Sequence, residues 1–232
     1  MYRPVSRRAA WFAFAFVLAL TGCQTLRSGS PTEDPSALRA RIDSLEARAD
    51  RLARTATLRN PLLNSTLWTQ TAVEYEGTTR QAYRMAEIMM RRALADSLWT
   101  ASLEQANRGS DTYSDKPPAV VLDVDETVLD NSPYQARLVR DGAAYSAESW
   151  ANWVREEQAA PVPGARAFTQ AATAQGVQVI YLTNRDASLE AATRTHLRNL
   201  GFPVDDAPDA VLTHGEREGW TPKAARRRWV AE

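Results

Sequence analysis

The chain has 232 residues, of which 44% are hydrophobic and 24% are charged, a composition that is typical of a globular protein and excludes a disordered or fibrous one. The 28 basic and 28 acidic residues balance to a net charge of zero, so we predict no nucleic-acid partner, which would require a basic surface. The single cysteine, Cys23, excludes an intramolecular disulfide and a metal site built from cysteines.

The first residues have the pattern of a secretory signal. Three arginines precede a run of twelve apolar residues, from Ala9 to Leu20, which is too short for a membrane span of about 20 residues. A retained membrane anchor is the alternative. The sequence LTGC, which ends at Cys23, resembles a bacterial lipobox, in which the signal is cut before an acylated cysteine. We therefore predict a lipoprotein signal over residues 1–22 and a membrane attachment through lipid on Cys23. Because Gln24 follows, and not Asp, the resemblance favours the outer membrane.

Residues 23–60 are predicted to form a linker and an amphipathic stalk helix. After a stretch rich in Ser, Gly, Pro and Thr, apolar residues recur at heptad spacing, namely Leu38, Ile42, Leu45, Ala49 and Leu52. One interpretation is a charged helix that serves only as a stalk. The other is self-association into a homo-oligomer through the apolar positions. Pro61 ends the segment.

A second helical region is predicted from Leu67 to about Asn107, with an interruption at Gly77. Its apolar and aromatic residues recur at roughly helical spacing and are predicted to face a core; they are Val73, Tyr83, Ala86, Met90 and Leu94. The methionines and aromatic residues of this stripe are interpreted as packing residues, not as a cofactor site.

The pattern changes from Ala119 onwards. Three short segments rich in β-branched residues, AVVLDVD, VQVIYLTN and DAVLTH, alternate with stretches that are predicted to be helical. Such alternation predicts an α/β fold with a Rossmann-like, mainly parallel sheet and helices on both faces. We assign this domain to residues 61–232, with a small helical cap made from the N-terminal helices and the insert after the first strand.

Polar residues follow each predicted strand, where open α/β sheets bind their ligands. Asp123 and Asp125 come directly after the first strand, and two carboxylates held close together need a cation or a shared proton. A hard divalent cation with oxygen ligands fits this pair. A calcium loop of the EF-hand type is excluded because the glycine at its sixth position is absent.

Thr183 and Asn184 follow the second strand, where a hydroxyl and an amide can hydrogen-bond a phosphoryl oxygen. The alternative for Thr183 is a helix N-cap. Lys223, one of only two lysines, stands behind Pro222 at the start of the last predicted helix. Its alternative is a solvated surface lysine.

Several segments of the chain resemble one family. The string AVVLDVDETVLDNSPYQ from Ala119 to Gln135, the string YLTNR from Tyr181 to Arg185 and Lys223 are similar to motifs of the haloacid dehalogenase superfamily. More narrowly they resemble the class C acid phosphatases, the lipoprotein 5′-nucleotidases of the lipoprotein e group. LWTQTAVEY, RQAYRMA and PVPGARAF also match that group. The resemblance covers residues 67–232.

The resemblance implies a Mg²⁺-dependent phosphatase that acts on small phosphomonoesters such as nucleoside monophosphates. Asp123 would be the nucleophile and Asp125 the general acid and base. Thr183, with Asn184, would hold the phosphoryl group, and Lys223 would neutralise developing charge. Mg²⁺ would bind the carboxylate of Asp123 and the backbone carbonyl of Asp125.

Two further expectations come from the same comparison of motifs. An aromatic residue stacks on the nucleoside base in the family, and Trp150 is the best match, with Trp153 as the neighbouring candidate; helix packing is the alternative for both. The family's fourth motif, GDxxxD after a further strand, is absent before Glu232, so we expect missing metal ligands, a missing strand and impaired turnover. The rival hypothesis is thus an inactive lipoprotein that binds nucleotide.

The remaining polar residues are not assigned to a site. His196 and His214 are predicted to pack or to lie at the surface, and the acidic group Asp205, Asp206 and Asp209 is predicted to lie in a loop. The basic run Arg226, Arg227 and Arg228 is predicted to be a solvated helix face.

Overall fold

The computed structural model describes residues 34–58, 60–206 and 209–232, except for the side chains of residues 56–58. The predicted signal and Cys23 lie outside the described residues. The chain divides into two compact units, Met1–Glu46 and Ala47–Glu232, and the boundary falls inside the first helix, α1 (Pro35–Leu58). Over the described ranges, no helix has both the length and the apolar character needed to cross a membrane.

Helix α1 covers the segment with heptad spacing. All of its described side chains are exposed, and four of its apolar residues, Leu38, Ile42, Leu45 and Leu52, are between 46% and 64% exposed. The apolar stripe therefore makes no core within the chain as described.

The second helical region is broken at Ala72 and not at Gly77. Helix α2 (Leu63–Thr71) ends there because Ala72 is extended, and Gly77 lies inside α3 (Val73–Leu94). Three of the residues predicted for the core, Tyr83, Ala86 and Met90, do pack against it. The prediction is wrong for Val73 and Leu94, which are 75% and 39% exposed because they stand at the two ends of the helix. A short helix, α4 (Leu103–Ala106), follows.

The sheet of the α/β unit is parallel, as the sequence predicts. Strands β1 (Ala119–Leu122), β4 (Gln178–Asp186) and β5 (Val211–His214) are hydrogen-bonded in the order β1-β4-β5. A separate antiparallel pair is formed by β2 (Leu129–Asp130) and β3 (Ala160–Pro161). Strand β4 is longer than predicted and carries Thr183, Asn184 and Arg185 within it.

Five helices complete the unit: α5 (Ser132–Asp141), α6 (Ala147–Glu156), α7 (Ala165–Ala174), α8 (Glu190–Asn199) and α9 (Lys223–Ala231). Successive residues of a strand point to opposite faces. In β4, Val179 and Tyr181 join the main core with Phe168 of α7, whereas Ile180 joins Trp220 and the partly buried Trp229 of α9. Helices therefore cover both faces of the sheet, which confirms the predicted architecture.

Candidate active site

Asp123 follows the last residue of strand β1 and lies beside β4. Leu122 pairs with Tyr181, so Asp123 comes level with Leu182, next to the polar residues that follow within β4. The Lys223 ammonium is 2.8 Å from Asp123 Oδ1, and the backbone N–H of Val124 donates to the same oxygen at 2.9 Å. The Asp123 side chain is 42% exposed. A carboxylate that is held by the Lys223 ammonium and is partly open to solvent is thus available to an incoming ligand.

Asp125 is held differently, by a buried arginine to which the sequence motifs assigned no role. Arg185 donates from Nη2 to Asp125 Oδ1 at 2.7 Å and from Nε to both carboxylate oxygens at 3.1 and 3.2 Å. Asn131 Nδ2 also donates to Oδ1, at 3.0 Å. The Thr183 hydroxyl lies 3.5 Å from Oδ2. Asp125 is 22% exposed and Arg185 only 1%.

The loop after Asp125 is compact. The N–H groups of Val128 and Leu129 both donate to the Val124 carbonyl at 2.9 Å. Glu126 adopts a positive φ of 58°, which is uncommon for a residue with a side chain and concentrates at functional sites. From α3, Tyr83 donates its hydroxyl to the Thr127 carbonyl at 2.6 Å. Burial raises the pKa of Tyr83 to about 12, so this donor stays protonated at any working pH.

Thr183 and Asn184 lie on opposite faces of β4. Thr183 is fully buried, and its hydroxyl oxygen accepts from the Arg185 N–H at 3.1 Å, which leaves the hydroxyl proton to be donated. It is not a helix cap, since Asp186 takes that role by accepting from the Ser188 N–H at 2.9 Å. Asn184 is exposed and accepts from Arg226 Nη2 at 3.1 Å.

The prediction of a solvated face is wrong for Arg226, which is fully buried beneath the site. Its Nη1 donates to the Thr183 carbonyl and, at 3.0 Å, to the Leu212 carbonyl. Burial lowers the pKa of Arg226, while the charges of Asp123 and Glu216 act in the opposite direction. The guanidinium ties β4, β5 and α9 together and adds positive charge near the Asp123 carboxylate.

Two cavities adjoin these groups. An open cleft of about 610 Å³ is lined by Asn184, His214, Thr221, Pro222 and Lys223. His214, which was expected only to pack or to lie at the surface, therefore faces the same space as the lysine. A smaller, more apolar pocket of about 250 Å³ is lined by Leu62, Glu126, Asn131, Tyr134, Gln135, Leu138, Tyr145 and Trp150.

The two tryptophans of α6 have different environments. Trp150 is half-buried, packs edge-on against Tyr134 with ring centroids 5.3 Å apart, and lies 5.7 Å from the Arg185 guanidinium. Trp153 is only 2% exposed, and its Nε1 donates to Asn131 Oδ1 at 2.9 Å. Trp153 is therefore a packing residue that orients Asn131, and only Trp150 reaches a pocket.

The donor set around Asp123 fits a hard divalent cation. The hydrogen bonds described for the Asp123 carboxylate all fall on Oδ1, and carboxylate and carbonyl oxygens are the ligands that Mg²⁺ prefers. Asp123 and the backbone carbonyl of Asp125 would hold the ion. The side chain of Asp125 is not free to be a further metal ligand, because its carboxylate pairs with Arg185.

A second acidic group consists of Glu190, Asp209 and Glu216. One carboxylate oxygen of each residue lies within 4.8 Å of the other two, which is close enough for the three to share a metal ion. Arg194 contacts Glu190 at 2.7 Å and also pairs with Asp209, so much of this charge is already neutralised. Burial and the neighbouring Asp209 raise the pKa of Glu216. Asp205, Asp206 and Asp209 lie outside helices and strands, as predicted.

Comparisons with known proteins identify the family and the fold of the chain. The family model described as HAD superfamily, subfamily IIIB (acid phosphatase) matches residues 36–232. A solved class C acid phosphatase from Bacillus anthracis is 31% identical, with a TM-score of 0.60 over 73% of this chain and 63% of that one. A structure of the Bacillus anthracis enzyme with tungstate bound is 32% identical, with a TM-score of 0.59 and the same coverage. The chain thus spans slightly less than two thirds of the length of these relatives.

Proposed function

Because the chain belongs to the acid phosphatases of HAD subfamily IIIB, we propose that it hydrolyses phosphomonoesters through a covalent intermediate on Asp123. The observation that carries this proposal is the exposed Asp123 carboxylate at a strand end, 2.8 Å from Lys223 and beside the open cleft that Lys223 lines. A carboxylate nucleophile splits one difficult displacement into two easier ones.

In the first step an Asp123 oxygen attacks phosphorus, the bond from phosphorus to the ester oxygen breaks, and that oxygen takes a proton from Asp125. In the second step Asp125 removes a proton from water, which attacks the aspartyl-phosphate and releases orthophosphate. Lys223 and the Thr183 hydroxyl stabilise the negative charge that develops on the phosphoryl oxygens. Mg²⁺, bound at Asp123 and the Asp125 carbonyl, would supply further positive charge there.

A nucleoside monophosphate is the proposed substrate class. The support is the smaller pocket, whose Asn131 contacts Asp125 and whose wall includes the half-buried ring of Trp150. A flat aromatic ring offers a stacking surface to a base, and such stacking is worth about 1–3 kcal/mol by alanine substitution in nucleic-acid complexes.

We expect Trp150→Ala to raise KM about fivefold or more for a nucleoside 5′-monophosphate, which corresponds to the low end of that stacking energy. The KM for glycerol phosphate, an alkyl ester without a base, should rise much less in the same variant. Trp150→Phe should keep most of the affinity for the nucleotide. Steady-state kinetics of both esters measure the difference. An equal rise in KM for the two esters would contradict base stacking on Trp150.

Attachment to the outer membrane through lipid on Cys23 is a separate proposal, supported by the LTGC sequence and the apolar run before it. Several acyl chains hold a protein on a membrane far more durably than one. Mass spectrometry of the membrane-extracted protein should find an acylated N-terminal cysteine. A soluble protein that retains residues 1–22 would refute the anchor.

The activity itself is tested by hydrolysis of p-nitrophenyl phosphate and a nucleoside monophosphate with and without Mg²⁺. The proposal predicts Mg²⁺-dependent release of phosphate that a chelator abolishes. If the folded chain binds nucleotide without turnover, the rival hypothesis of an inactive nucleotide-binding lipoprotein is correct.

A further inference from the structure

Arg185 makes further contacts besides its ion pair with Asp125, and these hold its guanidinium in place. Its Nη1 donates to the Thr193 hydroxyl at 3.2 Å, and Thr193 in turn donates to the Leu189 carbonyl at 2.8 Å. The ring of Trp150 lies 5.7 Å from its guanidinium carbon. A planar guanidinium braced in this way presents its donors to Asp125 in one fixed geometry.

The donors reach the two oxygens of Asp125 unequally. Oδ1 receives Arg185 Nη2 at 2.7 Å, Arg185 Nε at 3.1 Å and Asn131 Nδ2 at 3.0 Å. Oδ2 receives only the longer branch from Nε at 3.2 Å and the Thr183 hydroxyl at 3.5 Å. Three N–H donors therefore occupy Oδ1, and Oδ2 is the oxygen with capacity left for a further hydrogen bond.

We propose that Arg185 is a positioning residue that fixes Oδ2 of Asp125 as the oxygen that exchanges protons with the ester oxygen and with water. This inference rests on the proposed phosphatase function. It assigns no contact between Arg185 and the substrate, because the guanidinium is already occupied by Asp125 and Thr193.

The test compares two esters that differ in their need for a proton. An alkyl phosphate loses an alkoxide, which needs the proton from Asp125, whereas p-nitrophenyl phosphate loses a stable phenolate. General acid catalysis contributes about 10²–10⁴-fold. Arg185→Lys keeps the positive charge but removes the planar set of donors that the guanidinium directs at Asp125. We therefore expect it to lower kcat/KM about 100-fold for the alkyl ester and only slightly for the aryl ester. The ratio kcat/KM reports the first chemical step, so slow hydrolysis of the intermediate does not mask the difference.

Two further variants show whether a loss of activity in Arg185→Lys comes from misfolding. Thr193→Val removes the hydroxyl that accepts from Arg185 Nη1. It should also lower kcat/KM more for the alkyl ester than for the aryl ester, but by a smaller factor than Arg185→Lys. Arg137→Gln is the matched control, since Arg137 lies 4.8 Å from the Trp153 ring in the same way but pairs with the exposed Glu156. Equal losses for both esters in Arg185→Lys would overturn the inference while leaving the phosphatase function standing. If the wild type is inactive, a crystal structure of Arg185→Lys decides, and an undisplaced Asp125 carboxylate contradicts the inference.

The apolar stripe of α1 supports a second, independent inference. The apolar residues of α1 whose side chains are described, up to residue 55, are all exposed and gain no stabilisation from packing, on which most helices in water depend. Ile42 and Ala49 occupy the first position of successive heptads, and Leu38, Leu45 and Leu52 occupy the fourth. Isoleucine at the first position with leucine at the fourth favours two-stranded parallel coiled coils.

The flanking charges agree with a parallel pair. In a parallel, in-register pair, Arg41 of one copy faces Glu46 of the other, whereas an antiparallel pair would bring Arg41 and Arg48 of the two copies together. We infer that α1 is a dimerisation surface for a second copy of this chain. Copies confined to a membrane would meet at a high effective concentration, which favours so short a coiled coil.

Light scattering of the full chain in non-ionic detergent should find a dimer. Leu45→Glu should give a monomer, while Ala47→Glu, which adds the same charge on the opposite face of the helix, should leave the dimer intact. A monomeric wild type would refute the dimer. In a Cys23→Ser background, Leu52→Cys should form a disulfide between copies, because only a parallel pair brings residue 52 of each copy together; failure to cross-link would refute the parallel arrangement.

Discussion

Asp123→Asn is expected to lower kcat by at least about 10⁴-fold for every phosphate ester, the scale of loss seen when a nucleophile is removed from other hydrolases. The neutral amide is a poor nucleophile and also loses the charge that Lys223 pairs with at 2.8 Å. The fold should survive, since the Asp123 side chain is 42% exposed and occupies no core position. Steady-state kinetics beside a thermal unfolding curve separate loss of chemistry from loss of structure.

Asp141→Asn is the matched control for that variant. Asp141 ends α5, pairs with Arg140 at the surface and lies outside both cavities. It should keep wild-type kinetics. Substantial residual turnover by Asp123→Asn would show that another residue attacks phosphorus.

Lys223→Met is expected to lower kcat/KM about 10²–10³-fold, which is the usual cost of removing one preorganised donor from a developing oxyanion. The lysine is placed by the start of α9, where Pro222 stands immediately before the first helical residue. Methionine preserves the length and much of the packing of the side chain. The loss of activity should therefore come from the loss of the positive charge. Lys223→Arg restores the charge but should restore activity only in part, because a planar guanidinium differs in shape from an ammonium.

The chain provides its own control, because its only other lysine is Lys116. Lys116 is exposed and contacts the backbone carbonyl of Glu232, away from the described cavities. Lys116→Met should leave kcat/KM unchanged. If both lysine variants lose activity equally, the role assigned to Lys223 is wrong.

Periodicity and strand-end logic predicted the sheet well. Three β-branched segments form three parallel strands, and Asp125 after β1 contacts Thr183 and Arg185 of β4 because those strands are neighbours. The break at Ala72 was missed because alanine favours helix, and Gly77 further along the chain is the stronger helix breaker on propensity alone.

The buried arginines could not be predicted from composition. In a chain so rich in arginine, Arg185 and Arg226 look like surface residues, yet both are almost fully buried. One signal was present: a charged residue two positions after Thr183 on the same strand must share its face. The partners of these guanidiniums, Asp125 for one and backbone carbonyls for the other, come from distant parts of the chain and depend on tertiary structure.

A covalent intermediate on Asp123 is tested by identifying the residue that carries phosphorus during turnover. The wild-type chain is mixed with a radiolabelled phosphate ester and Mg²⁺, quenched in acid within one turnover and digested for peptide mapping. Label is expected on the peptide that contains Asp123, released by hydroxylamine as is usual for an acyl phosphate, and no label is expected in Asp123→Asn. Turnover without any covalent label, or label on a serine or histidine, would contradict an intermediate on Asp123.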